Sequence, residues 1–196
     1  MKRYKTSNLL LIALIPIVIV SVAACGQPPE EEMTAAREAV EEAAANPDVR
    51  RYAPQSLERA QQLLSEMESA AEAGENDSAR SLAQEASDAA EEAVQEAEVA
   101  KERARDEAEA AVAAAVAALE EARNALEDAR EVRGIRLGFQ AVRSDLEAGA
   151  ETVAAAEADL EDERFSDAQT KAENARASIS NVVRRISDAV QAASRK

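Results

Sequence analysis

The sequence predicts an all-α chain, an elongated antiparallel helical bundle or coiled coil. Two three-helix units are expected to share one long central helix. Three observations carry this expectation. Hydrophobic residues make up 46% of the chain, most of them alanine, and aromatics only 2%. Small and apolar residues recur at steps of three and four over long stretches, the spacing of one helix face. The five Gly and five Pro fall mostly at breaks between those stretches. Alanine lets helices approach closely while each contact buries little area, so thin, extended packing is favoured over a bulky interior.

The first 24 residues are set apart from the rest. Residues 1–8, MKRYKTSN, form a positive segment, and residues 9–22, LLLIALIPIVIVSV, an apolar one. This is the pattern of an export signal. The apolar run is shorter than the roughly 18–20 residues needed to cross a bilayer, and Pro16 interrupts it. It ends in Val22-Ala23-Ala24-Cys25. Small residues before a Cys resemble the lipobox of bacterial lipoproteins, in which the Cys sulfur receives a diacylglycerol. Val22, Ala23 and Ala24 are thus the expected cleavage-recognition residues, and Cys25 the lipidated, palmitate-bearing residue. Several acyl chains, at ~0.8 kcal/mol per buried CH₂, anchor a protein permanently. Gly26 stands where an Asp resembles an inner-membrane retention signal, which points to the outer membrane. Residues 25–32 form a tether stiffened by Pro28-Pro29.

The helices follow in order. The first covers about residues 30–45, with Met33, Ala36, Val40 and Ala43 on one face, and Asn46-Pro47-Asp48 ends it. A loop is expected up to Tyr52-Ala53-Pro54, with Pro54 suited to a first helical position. The second helix runs to about Ala73 on a seam of Leu57, Ala60, Leu64, Met67 and Ala71, closed by Gly74. Asp77 or Ser78 can cap the third helix. From Ala79 no Gly or Pro occurs until Gly134. Its seam runs from Ala79 to Ala104 and resumes through Val112, Leu119 and Leu126 after a shift of phase near residues 105–111, which fits a stutter. Gly134 to Gly138 is a turn. The fourth helix carries Phe139, Val142, Leu146, Gly149, Val153, Ala156 and Leu160. Arg164 to Asp167 makes a tight junction. The fifth carries Ala168, Ala172, Ala175, Ile179, Val182, Ile186 and Ala189. The expected organisation is a signal peptide over 1–24, the tether, a first helical unit over 33–104 and a second over 105–196.

An internal repeat appears at an offset of 89. Leu57 matches Leu146, Leu64 matches Val153, and Ala79, Ala83 and Ala86 match Ala168, Ala172 and Ala175. Short connections make successive helices antiparallel. Cys25 is therefore expected at one pole of a rod, with Gly134 to Gly138 and Lys196 near the other.

The stretch from Ala36 to about Arg105 resembles a family of bacterial envelope lipoproteins carrying domain of unknown function 4398. The residues that carry the resemblance are Tyr52-Ala53-Pro54, Leu57, Ala60, Leu64, Ala79, Leu82-Ala83, Ala86 and Ala90. The resemblance implies a helical, periplasmic protein with no defined activity. Some members add a peptidoglycan-binding domain similar to outer membrane protein A; here a second helical unit takes its place.

No catalytic chemistry is legible. The chain has one Cys and no His, so no internal disulfide and no Cys/His zinc site can form. There is no phosphate-binding Gly-rich loop, GxSxG elbow or HExxH. Glu91-Glu92 and Glu120-Glu121 read as solvated helix faces. No enzyme activity, cofactor or metal is expected. With 23 basic and 39 acidic residues the net charge is −16, which repels nucleic acid. Arg130, Arg133 and Arg136, with Arg143 nearby, cluster around the distal turn. They can grip an anionic envelope polymer or complement a helix C-terminus. The terminal Arg195-Lys196 resembles the end of murein lipoproteins, whose last lysine is joined to peptidoglycan.

The resulting expectation is a non-catalytic structural or adaptor lipoprotein, lipid-anchored in the cell envelope and facing the periplasm. Its expected partners are the membrane through its lipid, an envelope protein or peptidoglycan, and a second copy of itself. The alternative is a helical carrier of lipid or another ligand, against which the thin alanine seams argue.

Overall fold

The computed structural model describes residues 29–195. The expected cleavage and lipidation residues, Val22, Ala23, Ala24 and Cys25, and the terminal Lys196 lie outside that range. The described residues are all-α: α1 Glu30–Ala45, α2 Pro47–Tyr52, α3 Pro54–Glu72, α4 Asn76–Glu131, α5 Phe139–Glu161 and α6 Phe165–Ser194. No strand occurs among them. They form two compact units. Unit 1 comprises residues 29–47 and 54–93; unit 2 comprises 48–53 and 94–195. Each takes part of the 56-residue α4 and adds two longer helices, α1 and α3 in unit 1, α5 and α6 in unit 2.

Two prolines divide the first strokes of the chain. Asn46, ahead of Pro47, has extended dihedrals (φ −69°, ψ 119°), as the ring of a following proline demands. Pro47 and Pro54 each open a new helix at a position where no backbone donor is needed. The loop expected between them is therefore a helix of six residues. Only Val49 of α2 is buried, too little to create a periodic signal in the sequence.

Unit 1 buries Met33, Ala36, Val40 and Ala43 of α1 against Leu57, Ala60, Met67 and Ala70 of α3, with Ala79, Ala83, Ala86, Ala90 and Ala93 of α4 also buried. Unit 2 buries Val112, Leu119 and Leu126 of α4, Val142, Leu146 and Val153 of α5, and Ile179, Val182 and Ile186 of α6 in one cluster. Buried positions on α4 step by three and four from Ala79 to Ala97 and again from Ala108 to Ala129. The step of eleven from Ala97 to Ala108 is one heptad plus four, which is the spacing of a stutter.

The α3–α4 and α5–α6 turns match at the offset of 89 seen in the sequence. α3 ends at Glu72 and α5 at Glu161; α4 begins at Asn76 and α6 at Phe165. Both turns close with the same bond pair. At the first, Gly74 N–H donates to Ala71 O (3.0 Å) and Glu75 N–H to Ala70 O (2.9 Å). At the second, Glu163 N–H donates to Leu160 O (3.2 Å) and Arg164 N–H to Asp159 O (2.8 Å). This is the Schellman closure, which requires a left-handed residue after the helix. Gly74 has φ +75° and Glu163 φ +57°.

Three local expectations are corrected. The third long helix starts at Asn76, so Asp77 and Ser78 lie inside its first turn and cap nothing. Asp77 instead pairs with Arg80 at 3.5 Å. The fourth long helix buries Asp159 where Leu160 was expected, and Leu160 is half-buried. Phe165 is the first residue of α6 and is buried, rather than part of the connecting turn.

Candidate functional site

Two charged regions of unit 2 stand out. The first surrounds the α5–α6 turn. Asp159 is only 2% exposed, the one charged residue buried among the described residues. Burial of a lone carboxylate is costly, so it needs partners. Arg164 supplies a guanidinium through Nε at 3.0 Å and through a second nitrogen, and Lys171 brings its ammonium to the other carboxylate oxygen. Lys171 and then Arg164 hold the Asp159 carboxyl below the ordinary carboxylate range. Because Arg164 also donates its backbone N–H to the Asp159 carbonyl, one residue pair fixes the turn twice.

Beside it, Lys101 of α4 reaches Glu163 at 2.8 Å and Asp48 of α2 at 3.1 Å. Glu163 and then Asp48 raise the Lys101 ammonium above its usual value. Beneath lies a small apolar cluster of Ala108, Phe165 and Ala168, with Tyr52, Ala104 and Leu160 packed on it. α2, α4 and the α5–α6 turn are thereby tied together. Sequence reasoning missed this arrangement. Its members come from residues 48, 101, 159, 163, 164 and 171, which share no local spacing. The one available signal was Asp159, a carboxylate on the apolar face of α5, ten residues after Gly149.

The second region is the opposite end of the α4–α5 pair, where the sequence placed its arginines. Arg130 sits in the last turn of α4 and pairs with Glu127 at 2.9 Å. Arg133 and Arg136 are exposed in the 132–138 connection, beyond the helix end. Gly134, at φ +77°, lets the connection reverse. Arg123 and Arg143 join Arg130 along an open groove of about 490 Å³ whose floor is Leu126, Leu146 and Ala150 and whose walls also bear Glu127, Glu147 and Glu151. Arg130, Arg133, Arg136 and Arg143 thus do share one end of unit 2.

Among the described residues no group of three or more Asp, Glu, Cys or His is placed to hold a metal ion. Glu92, one of the carboxylates weighed from the sequence, faces Arg59 at 3.6 Å. No helix among the described residues is long and apolar enough to cross a membrane.

The described residues define an all-α helical bundle with two charged regions on unit 2. Residues 31–116 match the family model described as "Domain of unknown function (DUF4398)". The matched span takes in α1 to α3 and α4 as far as Val116; α5 and α6 fall outside it. No curated protein and no solved structure matches the chain.

Proposed function

We propose that this chain is a lipid-anchored structural or adaptor lipoprotein of the bacterial cell envelope, held through Cys25 in the outer membrane and facing the periplasm. The observation that carries the reading is the sequence of residues 1–25: a basic start, an apolar run too short to span a bilayer, and Val22-Ala23-Ala24-Cys25. After cleavage the attached lipid holds the chain, and the helical units supply surfaces for partners. The prevalence of alanine in the unit 1 core supports a structural role, because separating such helices would release little apolar area to bind a guest. The absence of histidine removes the commonest general base.

Intact mass spectrometry of the protein from its native membrane tests the anchor. The expected mass is that of residues 25–196 plus a diacylglycerol on Cys25. A chain that keeps Met1, or begins at an unmodified Cys25, contradicts the reading. Crosslinking in intact cells tests the adaptor role, and should give discrete adducts with envelope components; a chain that stays uncrosslinked throughout contradicts it.

A further inference from the structure

Charge is distributed unevenly within unit 2. Residues 123–150 and 179–195 carry eight basic and six acidic residues, whereas residues 48–53, 94–122 and 151–178 carry eight basic and seventeen acidic. The first set lies at one end. Leu126, Ala129, Val142, Leu146 and Ile186 share a core there, and Ile135, Leu137, Phe139 and Val190 pack on it. Arg123, Arg133, Arg136, Arg143 and Arg195 make no ion pair among the described residues, while Arg130 is paired with Glu127 and Arg185 with Asp145. α5 begins at this end with no acidic residue in its first turn to offset the field.

We infer that this end of unit 2 is a docking surface for a soluble polyanion, an extended polymer bearing phosphate or carboxylate groups. Arginine presents a planar fork of donors that matches either oxyanion. Arg133 and Arg136 project from the connection, and Arg123, Arg130 and Arg143 continue along the groove, so one strand can be held at several points. The negative charge elsewhere does not cancel this. Glu151 reaches the groove wall, but Glu120 and Glu121 lie twelve or more residues before Arg133, about 18 Å or more at 1.5 Å per residue, and Glu109 farther still, against a screening length of about 8 Å at physiological salt. A polymer is favoured over a membrane because the apolar residues of the connection, Ile135, Leu137 and Phe139, are packed on the core rather than free to enter a bilayer.

The inference names a partner class for the proposed adaptor. It does not need the lipid anchor, so the N-terminal mass decides that reading separately. The test measures binding of the full mature chain to long-chain inorganic polyphosphate and to polyglutamate. The double variant Arg133→Glu/Arg136→Glu is compared with Arg103→Glu/Arg176→Glu, which makes the same charge change at exposed residues away from this end. Circular dichroism checks that both variants stay helical. Expected is binding that weakens steeply between about 50 and 200 mM salt, falls by roughly tenfold or more in the first variant, and is held in the second. Binding of one polymer alone supports the inference and assigns the oxyanion. Failure to bind either polymer at low salt, or equal losses in both variants, overturns it. So does a preference for anionic over neutral vesicles that Arg133→Glu/Arg136→Glu abolishes, with neither polymer bound.

Discussion

The α3–α4 and α5–α6 hairpins bury most of their matched positions, 89 residues apart, yet differ in how much bulk the second helix carries. In the first, Met67 of α3 is wholly buried and the facing α4 offers Ala86, Ala90 and Ala93. In the second, Ala156 stands where Met67 does, Gly149 where Ala60 does, and α6 supplies Ile179, Val182 and Ile186. A Cβ on Gly149 would lie 3.0 Å from Ile179 Cγ1, so the glycine is the space into which that isoleucine fits. The first helix gives up volume at the Met67 and Ala60 places, but Ile179, Val182 and Ile186 stand where α4 has Ala90, Ala93 and Ala97, so the second hairpin carries more bulk in total. Their charges differ too. Unit 1 holds three basic residues, Arg37, Arg59 and Arg80, against sixteen acidic ones, whereas described unit 2 holds sixteen against twenty-three. Two hairpins with matching turns have thus diverged in how far the second helix fills the core and in surface charge.

The largest effect should come from truncating a large, wholly buried side chain in each hairpin. Ile179→Ala and Met67→Ala are each expected to cost about 2–5 kcal/mol, read from urea unfolding with hydrogen exchange assigning the loss to the affected hairpin. A loss well under 1 kcal/mol in either would break the claim that these two residues play matching roles.

The next contrast is Asp159, which takes the place of Ala70. Its carboxyl is held below the ordinary range by Lys171 and Arg164. A depressed carboxyl gives stability that is present above the unfolded value, near pH 4, and lost as pH falls through the folded one. Asp159→Ala should lower the melting temperature at neutral pH and flatten the acid side of the stability curve. Unit 1 keeps some acid sensitivity of its own. Glu32 is also held low, by a backbone hydrogen bond and then by Arg80. An acid limb unchanged by Asp159→Ala would show that the buried carboxylate is not a source of the pH dependence.

Smaller effects are expected at the left-handed residues. Nothing lies within 4 Å of a Cβ placed on Gly74, so Gly74→Ala should cost about 1 kcal/mol from backbone conformation alone. Glu163→Gly relieves the same strain and loses an exposed ion pair worth at most about 1 kcal/mol. It should leave thermal stability unchanged or slightly higher. The smallest effect is Lys101→Ala, within about 1 kcal/mol and fading at high salt, since its partners are largely exposed.

Most of the helical pattern was legible because alanine seams register the helix period directly. Met33 to Ala43, Ala79 to Ala97 and Ala168 to Ile186 are buried along the expected face. α2 was not legible, because six residues with one buried side chain carry no period. The seam was misread near helix ends, where it passes over Ala70 to Ala71 and over Asp159 to Leu160. A carboxylate on an apolar face is discounted unless its cations are known, and Lys171 lies twelve residues on, across a turn. The arginines at the α4–α5 turn were found because they are close in sequence. The Asp48–Lys101–Glu163 tie was not, because three separate elements contribute to it.

The central claim is that α5–α6 repeats the α3–α4 hairpin with added bulk on its second helix, which Gly149 makes room for at Ile179. A double-mutant cycle on Gly149 and Ile179 tests it most directly, since Gly149→Ala with Ile179→Ala rebuilds the Ala60 and Ala90 pair. In the parent, an alanine at 149 must push against Ile179. In the Ile179→Ala background it meets open space and gains up to about 1 kcal/mol of helix propensity. Unfolding free energies should therefore be non-additive, with Gly149→Ala more favourable by roughly 1 kcal/mol when Ile179 is gone. Additive effects, or an alanine at 149 equally harmful in both backgrounds, would contradict the account.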